Sequence, residues 1–346
     1  VGDTEPGAVL PTLLAEMGVQ QDFVPLDPEG FDRLIFPDYT FDIPSDRHAY
    51  RDRLVADFPS EQRGIDRYMK FLVQVDALMV PLRKHDSDMS VEMIMTVLLK
   101  APMMIRYKTA TLAQLLASCT KDPRLLAVLA GQHGIYGLPP SQIAAPFHAG
   151  IVNHFFHGPG YPKGGGQAIS DKLADRIEDL GGTIHLRRGV QRILMEDGRA
   201  AGVVTEPWKG ESHTVRAKVV LSNADIKATL FDLVGPQHLS KRYAKQAGGW
   251  SYPAALFLTC LGVKTDLGAL GMKASNYWLL DDYDLEGAYQ RSRASGLLTP
   301  QGAYITSASM KDPGTLGHSP EGVHNVEVMT LLPGAPHFWG VDGDSA

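Results

Sequence analysis

Residues 161–186 read YPKGGGQAISDKLADRIEDLGGTIHL. Three successive glycines precede an amphipathic segment with the pattern of a helix, and a glycine pair follows that segment. Apolar residues recur there at helical spacing and form one stripe that can pack on a sheet: Ile169, Leu173, Ile177 and Leu180. A glycine pair is a common end for a helix. The stretch therefore predicts a helix that begins at the glycines and a strand that begins near Thr183.

The triple glycine has three interpretations. A dinucleotide phosphate loop needs a strand, then G-x-G-x-x-G, then a helix. Gly164 and Gly166 occupy the first two places, but Ile169 stands at the third, and the preceding HGPGYPK has the composition of a loop. Alternatively, the glycines only loosen the start of the helix. In the third interpretation, they let the backbone pass close to a flat cofactor, and the residues that follow favour this one.

The segment after the helix predicts an α/β unit with a β-meander. We expect strands at 183–187, 189–196, 199–205 and 214–222, with a tight turn at Asp197-Gly198. The last of these, AKVVLSNA, is an apolar strand that ends in small polar residues: Ser222, Asn223 and Ala224. A buried strand of this kind brings its carboxyl end to a crevice, and ligands of open α/β sheets bind there.

These segments together resemble the central part of the FAD-dependent phytoene desaturase and retinol saturase-like flavoproteins, within the amine-oxidase-like superfamily. The resemblance rests on YPKGGGQAI, GGTIHLRRGVQRI, DGRAAGVVTE and AKVVLSNA, which span 161–224. It implies that Val190 contacts the FAD adenine through its backbone and that Ser222, Asn223 and Ala224 lie near the middle of the cofactor. It also implies a glycine turn beside the flavin, made of Pro162, Gly164, Gly165 and Gly166.

The 346 residues depart from the family pattern at two places. The family's N-terminal G-x-G-x-x-G with its ribose-binding acid is absent, and so is the C-terminal glycine-rich segment that closes on the flavin. We therefore expect FAD as the cofactor of a longer protein, with an FAD site that is incomplete within these residues.

The resulting fold prediction is an α/β class with α+β elements. It comprises an incomplete FAD-binding α/β domain together with a helical substrate-binding domain that carries a mixed β-sheet. The predicted division gives two parts to the FAD-binding domain, 1–30 and 161–235. Residues 31–160 form the mostly helical substrate-binding region, and 236–346 form its antiparallel sheet.

The helical region contains a segment, VEMIMTVLLKAPMMIRY (91–107), that is apolar on nearly all sides. Such a helix is either buried or touches lipid, and methionine suits an elongated apolar ligand. The predicted pocket residues are Met93, Met95, Met103, Tyr136, His154 and Tyr161. Ordinary helical core is the alternative for each of them, and peripheral contact with a membrane surface is the alternative for the segment.

The composition excludes several other classes of protein. A net charge of −6 and a pI near 6.1 give no electrostatic basis for binding nucleic acid. The two cysteines, Cys119 and Cys260, are expected to be buried free thiols in a reducing compartment, which indicates a cytoplasmic location. His148, His154 and His157 lie close in sequence, but no carboxylate stands in register with them, so we predict no metal site.

The function indicated by the resemblance is that of an FAD-dependent oxidoreductase. It would move a hydride between the flavin and an apolar polyene or isoprenoid substrate, as a desaturase or a saturase. Two alternatives stay open. One is an apolar-ligand or lipid-binding module without redox activity, and the other is an amine oxidase of the same superfamily.

Overall fold

The computed structural model describes residues 1–83, 101–207, 209–252, 254–294, 302–334 and 336–339. The chain divides into two compact units. Unit 1 comprises Val1–Arg176 and Pro253–Ala346, and unit 2 comprises Ile177–Tyr252.

The helices concentrate in the first half of the chain, as the sequence predicts. The described α-helices are α1 Val9–Glu16, α2 Arg47–Asp57, α3 Gln62–Arg83, α4 Pro102–Tyr107, α5 Leu112–Cys119, α6 Pro123–Ala130, α7 Ala145–Phe155, α8 Gly166–Asp179, α9 Lys241–Gly248, α10 Leu285–Ala294 and α11 Ala308–Lys311. Single turns of 3₁₀-helix occur at Pro59–Glu61, Gly131–Ile135, Pro236–His238 and Pro336–Trp339, and a π-helix spans Ala228–Val234.

The strands form three sheets. They are β1 Phe23–Pro25, β2 Asp32–Phe36, β3 Tyr39–Ile43, β4 Gly160–Pro162, β5 Val190–Glu196, β6 Arg199–Thr205, β7 Thr214–Arg216, β8 Ala255–Val263, β9 Asn276–Leu280, β10 Gly302–Thr306 and β11 His324–Leu332. Unit 1 holds a six-stranded sheet in the order β3-β2-β9-β10-β11-β8. Its strands pair antiparallel except β2 and β9, which are parallel. This mixed sheet with its helices confirms the predicted α/β class.

Local sequence signals explain where several elements begin. The Asp46 carboxylate accepts the Ala49 amide N–H at 2.7 Å and caps α2. Thr111 and Gln114 form a reciprocal capping box at the start of α5. Proline stands in the first turn of α4, α6 and α7, where its missing N–H costs no hydrogen bond.

The main core of unit 1 lies between the helices and strands β2, β3 and β9. Helix α3 contributes an apolar face, on which Ile65, Tyr68 and Leu72 are fully buried. On β2, the side chains of Asp32, Leu34 and Phe36 alternate inward with Arg33 and Ile35 less buried. The period of two residues therefore places an acidic side chain on the core-facing side of a strand.

In unit 2 the β5–β6 hairpin is confirmed. Asp197 and Gly198 have φ values of 48° and 74°, and positive φ at both central residues is the geometry that an Asp-Gly hairpin turn requires. The predicted strand at 183–187 is wrong, because these residues form a loop in which Arg187 has a φ of 56°.

The predicted buried strand at 214–222 is also wrong. Strand β7 ends at Arg216, and its last backbone bond to the neighbouring strand runs from the Ala217 amide to the Ala201 carbonyl. Val219 is 81% exposed and Leu221 is 95% exposed. Among the described residues no strand pairs with 218–224. Without a partner strand, the backbone N–H and C=O groups of this segment would lack hydrogen bonds if they were buried.

Two further expectations need correction. The stripe on α8 is only partly covered, because Ile177 and Leu180 are exposed. Both cysteines are free, but Cys119 is half-buried and Cys260 is exposed. Cys260 lies on β8, an edge strand of the six-stranded sheet, and the residues of this strand are exposed along most of its length.

Candidate functional site

Unit 1 contains a cavity of 510 Å³ bounded by the six-stranded sheet, α10, the 3₁₀-turn Gly131–Ile135 and the glycine turn. Most of its lining is apolar. The apolar side chains include Leu26, Ile135, Phe155, Leu256, Trp278, Leu279, Leu280, Leu285, Ala288, Met329 and Leu331. A concave apolar cavity with a few polar groups is the usual form of a small-molecule site.

The glycine turn forms one side of this cavity. Strand β4 pairs with β1 and thereby places Tyr161 and Pro162 in the wall. Gly164 and Gly165 have φ values of 86° and 82°, which side chains rarely adopt. A Cβ atom built on Gly166 would meet no heavy atom within 4 Å, so bare backbone borders open space here.

Asp312 holds the glycine turn in place. One oxygen of its buried carboxylate accepts the Gly164 amide N–H at 2.8 Å and lies 3.1 Å from His318 Nε2. Burial alone would raise the pKa of Asp312, but hydrogen bonds from Gly164, Thr315 and His318 outweigh it and lower the pKa. The turn is therefore anchored by a carboxylate that carries charge at neutral pH.

A group of six polar side chains interrupts the apolar lining, and we call it the polar wall: Asp32, Asn276, Tyr304, Thr306, Lys311 and Glu327. Asn276 is its centre. The Asn276 amide donates to Asp32 Oδ1 at 2.7 Å, and its Oδ1 accepts from Tyr304 OH at 2.7 Å and from Lys311 Nζ. Behind the wall, Gln132 Nε2 donates to Asp32 Oδ2 at 2.6 Å.

Burial governs the charges of this wall. It lowers the pKa of Lys311 to about 8, against the attraction of Asp32 and Glu327. It also raises the pKa of Asp32, although hydrogen bonds from Gln132 and Asn276 oppose the shift. The Lys311 ammonium lies 5.4 Å from the centre of the Tyr161 ring, a cation–π distance. The wall and the glycine turn are thus in contact.

The structure brings together part of the predicted site. Tyr161, Pro162 and Gly166 line the cavity, and Gly164 and Gly165 belong to the same turn. Val190, Ser222, Asn223 and Ala224 lie in unit 2. Val190 begins β5, the edge strand of the three-stranded sheet, and Ser222, Asn223 and Ala224 lie in an exposed loop.

Three predicted pocket residues have other surroundings, and none is among the described residues that line the cavity. Tyr136 hydrogen bonds to His148 within the helical region. The Met103 amide donates to Gln74 Oε1 at 2.8 Å. His154 Nδ1 accepts the Asp3 amide N–H at 3.3 Å. Met93 and Met95 fall outside the described residues.

The polar wall is the feature that sequence reasoning missed. One signal was available, because Asp32 is in phase with Leu34 and Phe36 on β2, and an acid at an inward position of a strand marks a buried polar site. Lys311 gave no such signal, since a lone Lys-Asp pair after a strand usually lies in solvent. In the described part of the chain, no three His, Cys, Asp or Glu side chains are grouped so as to hold a metal ion.

Comparison with curated proteins identifies relatives along most of the chain. All-trans-retinol 13,14-reductase from Danio rerio is 29% identical over 315 residues, which is 86% of this chain and 50% of that protein. Over most of its length the chain is similar to the retinol 13,14-reductases. A 4,4'-diapophytoene desaturase (4,4'-diapolycopene-forming) from Methylomonas sp is 24% identical over 242 residues, 70% of this chain and 46% of that protein. This confirms the resemblance predicted from residues 161–224.

Solved structures share the fold. An oxidoreductase from Methanosarcina mazei superposes with a TM-score of 0.61 at 21% identity, over 98% of this chain and 67% of that one. A putrescine oxidase redesigned in its cofactor binding superposes with a TM-score of 0.52 at 13% identity, over 99% and 66%. No protein-family model matches the chain. The chain spans about half the length of the retinol reductase relatives.

Proposed function

We propose that the protein containing this chain is an FAD-dependent oxidoreductase of the desaturase or saturase type that acts on an apolar polyene or isoprenoid. The proposal rests on one observation above all. The glycine turn at 161–166, the motif that carries the family resemblance, forms a wall of an apolar cavity. The names of the relatives, a retinol reductase and a carotenoid desaturase, support a substrate of this class.

The residues present fit a flavin. The backbone of Gly166 borders open space, as the approach of a flat ring requires. In unit 2, Val190 lies on β5, an edge strand of the three-stranded sheet in the described chain, and its assignment as the adenine contact is part of this proposal. The assignment of 1–30 and 161–235 to FAD binding, and of 31–160 and 236–346 to substrate binding, is part of this proposal.

Each group has a definite task in such an enzyme. Bound FAD supplies the chemistry of hydride transfer. The apolar lining excludes water and orients the polyene. Asp312 and His318 hold the glycine turn, and Tyr161 contributes its ring to the cavity beside Lys311. Among the described residues we find no helix with the length and hydropathy needed to cross a bilayer, and a cytoplasmic location or a peripheral membrane contact stays a prediction.

Filling the open space at Gly166 tests the proposal. The wild-type protein should purify with about one FAD per chain, absorbing at about 450 nm, and should convert a polyene. Gly166→Leu should lower turnover by at least about tenfold, because it places a large side chain on a residue that lines the cavity.

Gly314→Leu is the matched control, since Gly314 is exposed and a Cβ there also meets nothing within 4 Å. It should leave turnover unchanged. A colourless protein that binds retinoids without converting them would instead establish the apolar-ligand module.

A further inference from the structure

The polar wall has no task in the transfer of a hydride to or from a hydrocarbon, and it is set into a mostly apolar cavity. Four strands and one short helix build it, with Thr306 on β10 directly opposite Glu327 on β11. Lys311 reaches it from α11 and is only 6% exposed. Ionised groups in such surroundings are rare unless they are paired or have a ligand to bind.

Some side chains of the polar wall have hydrogen-bond partners within the protein and need no ligand. Both oxygens of Asp32 accept an amide N–H, one from Gln132 and one from Asn276. Asn276 Oδ1 in turn receives several donors. These three residues form a hydrogen-bond network in which each Asp32 oxygen has a donor, which is sufficient reason for their burial.

Lys311 and Glu327 are different. An ammonium has three N–H donors, and Lys311 hydrogen bonds to two described residues, Asn276 and Thr306. The Glu327 carboxylate makes no hydrogen bond to another described residue, although it is near enough to Lys311 to interact with its charge. A donor and an acceptor therefore remain at one place in the cavity wall.

We propose that Lys311 and Glu327 bind the terminal hydroxyl group of an elongated apolar alcohol. The hydroxyl oxygen accepts from the Lys311 ammonium, and the hydroxyl proton is donated to Glu327. This inference rests on the proposed function, because it takes the cavity to be the substrate site. It adds that the substrate has one polar end, and it assigns the residues that recognise it.

The charges of the wall also predict which ligands bind less well. A carboxylic acid would bring a third carboxylate to the polar wall, beside Asp32 and Glu327, and like charges at short range repel. A hydrocarbon would cover Lys311 and Glu327 while offering them no hydrogen bond, which is costly for ionised groups. The alcohol is the one of these three that satisfies both.

Binding of three ligands with one carbon skeleton tests the proposal without any redox reaction. The probes are all-trans-retinol, all-trans-retinoic acid, and axerophthene, the hydrocarbon that lacks the hydroxyl group. Trp278 lines the cavity, so quenching of tryptophan fluorescence reports occupancy. The alcohol should bind roughly 10-fold or more tightly than either analogue, which is the worth of a hydrogen bond to a charged group.

Single substitutions distinguish the contribution of Lys311 to ligand binding from that of Glu327. Lys311→Met should weaken retinol about 10-fold, because the alcohol uses the ammonium. It should strengthen axerophthene, because the hydrocarbon then covers one ionised group fewer. Glu327→Gln should strengthen retinoic acid, and it keeps the test decisive should Lys311→Met fail to fold. Lys121→Met, at an exposed position, should change none of the three affinities.

Equal affinity of wild type for alcohol and hydrocarbon, or unchanged retinol binding in Lys311→Met, would overturn the assignment. Either result leaves the proposed oxidoreductase standing if flavin and polyene turnover are found. Conversely, a protein without flavin that still prefers the alcohol through Lys311 would refute the oxidoreductase and retain the hydroxyl site.

Discussion

Lys311 is held in the cavity wall at a cost to stability. Its ammonium is charged in the unfolded chain up to a pH near 10.5, but burial lowers its pKa to about 8 in the folded protein. Between these two values the unfolded state binds the proton more strongly than the folded state. The free energy of unfolding contributed by this residue therefore rises with pH across that range.

The difference between wild type and Lys311→Met should show this rise. Relative to the variant, the wild type should gain about 1.4 kcal/mol per pH unit between pH 8 and pH 10.5. Below pH 8 the difference between the two proteins should be constant, because Lys311 is then charged in both the folded and the unfolded state. Urea unfolding at a series of pH values measures the difference. A difference that is flat from pH 8 to 10.5 would mean that Lys311 is not desolvated.

A buried histidine of the helical core shows that a strongly shifted pKa does not by itself mark a residue of the candidate site. His148 is fully buried, and burial with the repulsion of His133 lowers its pKa to about 3. Its ring nitrogens hydrogen bond to Tyr68 and Tyr136, and neither tyrosine lines the cavity among the described residues. Here the neutral imidazole joins two buried hydroxyl groups within the helical core.

At the scale of elements, the close approach of α3 and α5 depends on a glycine. A Cβ atom on Gly64 would lie 2.1 Å from the Cys119 carbonyl oxygen, which is a backbone atom and cannot turn away. Because α3 supplies a large face of the core, displacing it from α5 would disturb packing well beyond the contact itself.

Gly64→Ala should therefore destabilise the protein by about 1–3 kcal/mol, the usual effect of overpacking, even though alanine favours helices. Gly150→Ala on α7 is the matched control, since a Cβ there meets nothing within 4 Å. It should stabilise by about 0.5–1 kcal/mol through helix propensity. The midpoints of urea unfolding compare the two. Equal shifts in the same direction would show that α3 and α5 are not in close contact.

The same scale explains which elements the sequence could predict. Helix α8, the β2–β3 pair and the β5–β6 hairpin follow from periodicity and turn chemistry, because their interactions join neighbours along the chain. Residues 217–222 have the composition of a strand, but forming one requires a partner strand, and β7 ends at Arg216. A strand-like pattern shows that a segment can pair in a sheet, but it does not show that a partner strand is present.

Only one wall of the candidate site, the glycine turn, could be predicted from the sequence, because only that wall carries a sequence motif. The glycine turn was found from its own residues. Asp32 and Asn276, by contrast, are 244 positions apart and meet because β2 pairs in parallel with β9. Lys311 joins them from 35 positions beyond Asn276. Pairings of that separation are set by the whole sheet, so no local pattern could assemble the polar wall.

At the scale of the whole molecule, the two halves of the predicted FAD site belong to different units. The glycine turn is in unit 1, and Val190 with the loop at 222–224 is in unit 2. Leu221 and Val219 in unit 2 are largely exposed, as are Leu256 and Phe257 at the edge of the six-stranded sheet. The retinol reductase relatives are about twice as long as the matched region, so the proposed flavin reaction is to be measured on the protein that contains this chain.

Anaerobic single-turnover spectroscopy of the protein that contains this chain is the most direct measurement of flavin-dependent polyene chemistry. We expect the flavin band at about 450 nm to change at a single rate when a polyene is added, while mass spectrometry shows that the polyene has gained or lost two hydrogen atoms. A protein without this band, or a flavin whose redox state does not respond to any polyene that fluorescence shows to be bound, would contradict it.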